Sequence, residues 1–424
     1  MTSKTDIKAR LRRSFRQTRL MAGANKSGPK ALKSDHSLRT AGPSARAQKL
    51  QAAVGGEIVV DSSGEYLLIK TAHDASYRHG KVSLKSAVNA RYSLSHVITG
   101  ADQGSLDARR LLFYDTETTG LSGAGALAFL AGVGSFTARG FETRQYLMPD
   151  FADEAAMLEA LLAEFGEQTV IVTYNGKAFD LPLTTDRMIL NRVARSVPHA
   201  HHLDLLHTVR SLFKRRIGSC SLGNVENEIF EYRREHDIPG HLVPAVYFAW
   251  AHEDKTDDLA GVLDHNRQDI VSLALLLSEL SGIHNSAGQA LVEPLDVYSY
   301  MRRMESSGQR VTACALGHAR RKELDQIGSA EIDFRRSMIF KRAGEFSAAI
   351  SLWETLESAP GQISQLARLE LAKWHEHKSK DLPRALALSD KALSYCPGPE
   401  RAAWRRRQAR LKKRLRQRLL IKSL

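Results

Sequence analysis

The run Leu111-Leu112-Phe113-Tyr114-Asp115-Thr116-Glu117-Thr118-Thr119-Gly120 constrains this chain more than any other stretch. Its first residues, Leu111 to Tyr114, have the apolar and aromatic character of a buried strand, and the strand ends in two carboxylates separated by one residue. Side chains at i and i+2 of a strand share a face, so Asp115 and Glu117 look the same way. Two like charges side by side are costly unless a cation sits between them, and a divalent metal is the usual answer. One reading is therefore half of a metal cradle. The other, a strand end with a solvated Asp-x-Glu, stands beside it until the rest of the chain is read.

Composition narrows the classes. The 424 residues are 43% hydrophobic and 25% charged, a globular composition on a chain long enough for two or three domains with real cores. Cys220, Cys314 and Cys396 stand far apart with no paired spacing. That excludes a disulfide framework and a zinc knuckle, and it points to a reducing, cytoplasmic compartment. No apolar run approaches the roughly 18 residues of a membrane span. The longest candidate, Ala124 to Phe136, is short and broken by glycines.

The net charge of +14 is unevenly placed. Residues 1–50 carry 13 Lys/Arg against Asp6 and Asp35, a net +11, and residues 401–424 carry 11 Lys/Arg and no acid, another +11. Residues 51–400 are left at −8, an acidic body between basic ends. Basic arms on a globular body read as nucleic-acid contacts, because each Lys or Arg that neutralises a phosphate releases counterions. Solvated tails without a partner are the alternative. An Arg- and Ser-rich N-terminus also has the composition of an organellar transit peptide, but the C-terminus has the same character and no import signal would sit there.

In chain order, residues 1–50 are expected as a basic, disordered arm, helical only where Ile7, Leu11 and Phe15 are spaced by four. Residues 51–104 are expected as a β-hairpin segment laid against the next domain, with Glu57–Val60 and Glu65–Ile69 flanking the turn cluster Asp61–Gly64. His73 and His79 then read as surface residues. The central domain, 105–285, opens with the strand at 111 and continues through Leu127–Phe136 and Phe141–Leu147 as an antiparallel meander. A helix over 153–166 leads to a strand at Thr169–Tyr174, and a helix between two strands makes the second parallel to the first.

That strand runs into Tyr174-Asn175-Gly176-Lys177-Ala178-Phe179-Asp180-Leu181-Pro182-Leu183. Asn-Gly is a tight-turn signal and Pro182 is tolerated in a helix's first turn, so Asp180 projects from a strand-to-helix junction at a parallel sheet edge, where such folds place their sites. Taken alone, an Asp in this position is more often a helix N-cap than a ligand. Lys177 and Phe179 suit a phosphate contact and a stacked base. Residues 186–218 read as helical and basic. His199, His201, His202 and His207 fit no zinc spacing, and Asp204 between leucines reads as structural. In Leu263-Asp264-His265-Asn266-Arg267-Gln268-Asp269-Ile270, an amphipathic helix sets Asp269 beside its buried face and His265 one turn earlier. A histidine beside a carboxylate cluster can accept a proton from water; a capped helix start at Asp264 and His265 is the alternative.

The order Asp-x-Glu, Asp, His-x-x-x-Asp on strand, junction and helix resembles the DEDD 3′-5′ exonucleases of the ribonuclease H-like superfamily. The match is closest to the bacterial YprB-type family, on Asp115–Leu121, Asn175–Asp180 and Asn266–Asp269, with Ser221–Glu226, Tyr232-Arg233-Arg234 and Asp237–Gly240 resembling its linker. The resemblance covers roughly residues 105–285. It implies an α/β fold, a ribonuclease H-like mixed sheet flanked by helices, and a hydrolase acting on phosphodiester bonds of DNA or RNA. It further implies two Mg²⁺ or Mn²⁺ ions held by Asp115, Glu117, Asp180 and Asp269, with His265 as a catalytic base. Thr118, Gly120 and Leu121 would hold the terminal nucleotide beside Asn175, Lys177 and Phe179. Two departures stand out. His265 occupies the spacing of the tyrosine-type branch, and Ala126 stands in the glycine-rich turn where a Thr is expected.

Residues 286–330 are expected as a helical connector. Residues 331–398 resemble tetratricopeptide-type helical hairpins, repeating at a period of 36 that pairs Ala349 with Ala385, Ile350 with Leu386 and Leu352 with Leu388. Residues 399–424 form a basic helical tail with Trp404, Leu411, Leu415 and Leu419 on one side. Two functions follow. One is a metal-dependent exonuclease whose basic arms hold DNA or RNA. The other is a catalytically weak nucleic-acid-binding adaptor that binds a protein partner through its repeats. The presence of all four carboxylates favours the enzyme.

Overall fold

The computed structural model describes residues 42–92, 106–120, 125–395, 398 and 400–422. Most of the basic N-terminal arm, Leu121 and Cys396 lie outside the described residues. The chain divides into two compact units, Met1–Arg210 with Ile217–Asn285, and Ser211–Arg216 with Ser286–Leu424.

The strands of the first unit are β1 (Glu57–Asp61), β2 (Gly64–Asp74), the short pair β3 (Arg78–His79) and β4 (Val82–Ser83), β5 (Leu111–Thr118), β6 (Ala128–Thr137), β7 (Gly140–Leu147), β8 (Val170–Thr173) and β9 (His201–Asp204). Seven of them form one sheet in the order β1-β2-β7-β6-β5-β8-β9. β5 pairs antiparallel with β6 and parallel with β8. The parallel partner needs a crossover, and helix α3 is part of it; the helices in chain order are α1 (Ala45–Val54), α2 (Leu84–Val88), α3 (Glu154–Leu162), α4 (Asp180–Leu190), α5 (Leu205–Ile217), α6 (Leu222–Val225), α7 (Val243–Glu253) and α8 (Leu259–Asn285).

β5 is central and buried from Leu111 to Tyr114, so its two faces meet different helices. Tyr114 points to the α4 side, where its hydroxyl bonds Thr184 at 2.5 Å and its ring packs on Phe165. Residues of the opposite parity, Phe113, Asp115 and Glu117, face the side against which α8 packs. Two glycines of β6 make that approach close. A Cβ at Gly132 would lie 2.2 Å from Asn266 Oδ1, and one at Gly134 would lie 2.4 Å from Ile270 Cγ2.

The structure departs from expectation in three places. The hairpin expected as a segment laid against the domain is the sheet's own edge, with β2 pairing β7 from Leu67↔Leu147 to Asp74↔Gly140. His73 sits on β2 and is buried, and His79 is fully buried, so neither is a surface residue. The stretch 186–218 is not continuously helical, because β9 interrupts it and pairs parallel with β8. His201–Asp204 has little strand propensity of its own; it is a strand because the β8 backbone on that side requires partners.

The second unit is helical. It contains α9 (Pro294–Ser306), α10 (Arg310–Ala319), α11 (Arg321–Asp325), α12 (Ala330–Ala343), α13 (Phe346–Leu356), α14 (Gln362–His377), α15 (Leu382–Tyr395) and α16 (Glu400–Lys422). Ala349 and Ala385, which the 36-residue period pairs, are both fully buried, as is Leu388. Gly344, in the left-handed region at φ 86°, ends α12 and lets α13 follow within two residues. No helix among the described residues is long and apolar enough to cross a membrane.

Gly134→Ala is expected to destabilise the first unit by about 1–3 kcal/mol, because the added methyl must displace Ile270 or Phe141. Urea unfolding checks this. A loss below about 0.5 kcal/mol would mean that α8 is free to move away from the sheet.

Candidate active site

Asp115 and Glu117 emerge from β5 on the α8 side, while Thr116 between them turns to the other carboxylate of the site. Its backbone N–H and hydroxyl both donate to Asp180 Oδ1, at 3.2 and 2.6 Å. Asp180, the first residue of α4, is therefore tied to the strand and not merely a cap of its own helix. The turn that delivers it is held from beneath by Asp204. One carboxylate oxygen of Asp204 accepts the Asn175 N–H at 2.8 Å and the other accepts the Lys177 N–H at 3.2 Å. The turn needs its Asn-Gly sequence: Asn175 is left-handed at φ 71°, and a Cβ on Gly176 would fall 2.6 Å from Thr173.

Helix α8 contributes His265, Asn266 and Asp269. Asn266 is fully buried in the space that Gly132 leaves, and Gly132 is the register partner of Asp115. The Asn266 amide donates to Asp115 Oδ2 at 2.9 Å, and Gln145 Nε2 donates to Asn266 Oδ1 at 2.9 Å, which fixes the direction of the amide. His265 Nδ1 lies 2.7 Å from Asp237 Oδ1, so its Nε2 turns toward Glu117 and Asp269, at 3.9 and 3.7 Å.

These groups strain one another electrostatically. Burial pushes the Asp115 carboxyl well above its ordinary range, and the charges of Asp269, Asp180 and Glu117 push the same way. Burial likewise raises Glu117 to about 8, against the pull of His265 and with the added push of Asp269 and Asp180. Asp180 is raised by burial and held back by its bonds from Thr116. Burial works against a charged His265, yet the bond to Asp237 and the charges of Asp269 and Glu117 outweigh it and raise the ring to about 9. Such a set of hard oxygen donors in mutual repulsion suits a hard divalent cation. Among the described residues no three carboxylate, histidine or cysteine side chains already converge as a metal cluster. Protein donors occupy the oxygens instead: Asn266 on Asp115, Thr116 on Asp180 and Arg234 on Asp269.

Arg234, part of the linker resemblance, has no role among the candidate site residues that the sequence suggests. Its guanidinium is buried, with 6% of the side chain exposed, and it pairs with Asp269. It also donates to Glu226, through Nε at 2.7 Å and Nη2 at 2.5 Å, and its Nη1 lies 3.4 Å from His265 Nδ1 and 3.9 Å from Asp237 Oδ1. Glu226 also accepts from Ser272 of α8, whose hydroxyl lies 3.1 Å from His79 Nε2. The His79 ring rests on Tyr232, centroids 3.5 Å apart. Glu226 opens a turn widened to π-helical spacing over Glu226–Phe230, and Glu231 then reverses the chain at φ 55°. The linker thus returns to α8 carrying both Arg234 and Asp237.

A cleft of about 940 Å³ adjoins Glu117 and Asp180. Thr118, Gly120 and Phe179 line it, together with Ile189 and Leu190 of α4. Phe179 is 49% exposed, Ile189 50% and Leu190 64%, so a row of apolar side chains leads away from the carboxylates. Of the residues expected to meet substrate, Asn175 and Lys177 do not line the cleft, and Leu121 lies outside the described residues. The four histidines at 199–207 form no metal site among the described residues; burial pushes His202 down to about 4, and its Nε2 lies 2.9 Å from Thr173 Oγ1.

The sequence signature of the RNase_H superfamily matches residues 112–281, which contain all four carboxylates. The chain is also 34% identical over 341 residues to "Uncharacterized protein YprB" of Bacillus subtilis (strain 168), covering 78% of this chain and 81% of that protein. The mixed seven-stranded sheet flanked by helices agrees with the first match. The superfamily's fold is a nucleic-acid-binding one that generally works with divalent metal ions.

Glu226→Gln tests the Arg234 cluster. Burial disfavours the Glu226 charge, but bonds from His79, Arg234 and Ser272 hold its carboxyl down to about 2, below the ordinary 4.5. A depressed carboxyl adds stability above the unfolded value and loses it as pH falls toward the folded one. Wild type is expected to exceed the variant by about 3 kcal/mol at pH 7. In urea melts across a pH series, that gap should close between pH 4.5 and about 2. A gap of constant size would mean that the charge of Glu226 contributes nothing.

Proposed function

The chain belongs to the YprB-type family of the ribonuclease H superfamily, and from that premise we propose that it is a metal-dependent 3′-5′ exonuclease hydrolysing phosphodiester bonds of DNA or RNA. One observation carries the reading. Four carboxylates from a strand, a junction and a helix meet beside a cleft with an exposed aromatic ring, where burial and the charge of their neighbours raise the proton affinity of Asp115 and Glu117. Asp115, Glu117, Asp180 and Asp269 would hold two Mg²⁺ or Mn²⁺ ions, which when bound offset the charge of the scissile phosphate and of the attacking and leaving oxygens.

The chain's own residues do the rest. Thr116 and Asn266 fix the directions of Asp180 and Asp115, so these carboxylates need no reorganisation when substrate arrives. Asp237 holds His265 through Nδ1 and turns Nε2 toward Glu117 and Asp269; cations held by those carboxylates would offset the charges that keep the ring protonated, so that Nε2 could take a proton from the attacking water. His265 keeps this role at the tyrosine-type spacing because it is one helical turn from Asp269, on the same side of α8. Phe179 stacks the terminal base, and Thr118 and Gly120 flank its sugar. Lys177 at the turn meets a phosphate outside the cleft. The 3′-5′ direction rests on the likeness of the motifs at 115–121, 175–180 and 265–269 to exonucleases of that polarity.

End-labelled single-stranded DNA and RNA, incubated with the full chain and Mg²⁺ or Mn²⁺, should shorten from the 3′ end. Asp115→Asn with Asp180→Asn should reduce the rate by about a thousandfold or more, the scale of several kcal/mol of lost charge stabilisation. Cleavage that survives a chelator would sink the metal-dependent reading, and nicking of a circular strand would replace exonuclease by endonuclease. Phe179→Ala should raise KM by about five- to a hundredfold with kcat largely kept, as loss of one stacked base predicts. A pure kcat effect would remove Phe179 from the base site.

A further inference from the structure

Helix α16 carries its charge in two differently treated sets. Glu376 of α14 is fully buried and gathers three arginines from it: Arg407 at 2.8 Å, Arg410 at 2.8 and 2.9 Å, and Arg414 at 3.3 Å. Beside that anchor, Trp404 and Leu411 turn inward, 5% and 0% exposed, with Leu411 packed against Leu382 and Ala385. The helix is therefore fixed in rotation. What it turns outward is Arg405, Arg406, Lys412, Lys413 and Arg416, all exposed, and among the described residues none of them is in an ion pair.

Helical geometry arranges these five as a track. Arg405, Lys412 and Arg416 fall in one row and Arg406 and Lys413 in a second, the first spanning about 16 Å of helix. Ala402 and Ala409 lie between the rows, so the floor is low and a chain can settle between the cations. Five neighbouring like charges with no acid interleaved repel one another, a cost relieved by a polyanion with regularly spaced charges.

We propose that this outward face of α16 is a docking surface that holds the phosphate backbone of nucleic acid irrespective of sequence. The choice of nucleic acid among polyanions rests on the nuclease reading above. A membrane surface is disfavoured by the packing: a helix that lies in a lipid interface needs an exposed apolar face, and here Trp404 and Leu411 are buried in the unit, leaving Leu419, at 68%, as the exposed large apolar side chain of α16 among the described residues.

The test measures binding without cleavage. The full chain with Asp115→Asn and Asp180→Asn, in chelator, is titrated with fluorescent polyuridine RNA, oligothymidine DNA and a duplex across a salt series, and separately with phosphatidylglycerol vesicles. Changing all five residues to Gln should lower affinity for at least one nucleic acid tenfold or more and flatten the log–log salt slope by about 2–3. Retaining the charges through Arg405→Lys, Arg406→Lys and Arg416→Lys should preserve both. Thermal melts establish that the five-fold variant is folded; should it not be, Lys412→Gln with Lys413→Gln must still flatten the slope by about 1. An unchanged slope overturns the proposal, as does loss of vesicle binding with nucleic-acid binding intact. Wild-type hydrolysis of the p-nitrophenyl ester of thymidine 5′-monophosphate, a substrate too small to span a helix, is read separately. Its absence speaks against the nuclease reading alone, and an unchanged salt slope speaks against the docking surface alone.

Discussion

Four carboxylates brought together at a partly buried site beside a cleft repel one another, and the first unit is arranged around containing that repulsion. Each is restrained by something the chain supplies. Asp180 is gripped by Thr116 from the very strand that carries two of the others. Asp115 receives the Asn266 amide, itself oriented by Gln145, and Asp269 receives a buried guanidinium. The repulsion remains: the charges of their neighbours add to burial in raising the proton affinities of Asp115 and Glu117. It is this residual, directed excess of negative charge that would favour hard cations under the proposed function.

The restraint reaches back into the architecture. Asn266 can enter only because β6 has no side chain at Gly132, and α8 can lie flat only because Gly134 is likewise bare. Asp204 ends the edge strand β9 and supports the Asn175-Gly176 turn from which Asp180 is delivered. A strand that looks peripheral is thus a support of the site. The second unit uses the same principle with opposite sign: one buried carboxylate, Glu376, collects three arginines and so sets the rotation of a helix.

Features with a local period were legible in the sequence. Leu111–Tyr114 announces a buried strand, Asp115 and Glu117 share a face by alternation, and His265 and Asp269 share one by helical spacing; all three relations hold in the structure. The parallel pairing of β5 and β8 followed from the helix between them. What could not be read lacked such a period. The strand β9 exists because β8 has a free side, not because of His201–Asp204 themselves. Burial of His73 depends on the hairpin joining the sheet, and burial of His79 on Phe230, Tyr232 and Ser272 closing over it, long-range events that neither histidine's own neighbours signal. Arg234, Glu226 and Asp237 lie in the quoted linker resemblance, but their meeting with α8 depends on a π-widened turn and a left-handed Glu231, neither of which has a side-chain signature.

Arg234 lodged against Asp269 has a consequence for how the protein comes into being. Small metal-built domains assemble only when their ion arrives, because nothing else neutralises their ligands. Here a fixed positive group made by the chain itself is already at the C-terminal carboxylate of the four, anchored on its far side by Glu226. The nascent chain can therefore complete its core with its own counter-charge in place, and under the proposed function ion loading would be an event in the working life of the finished molecule, not a condition of its birth.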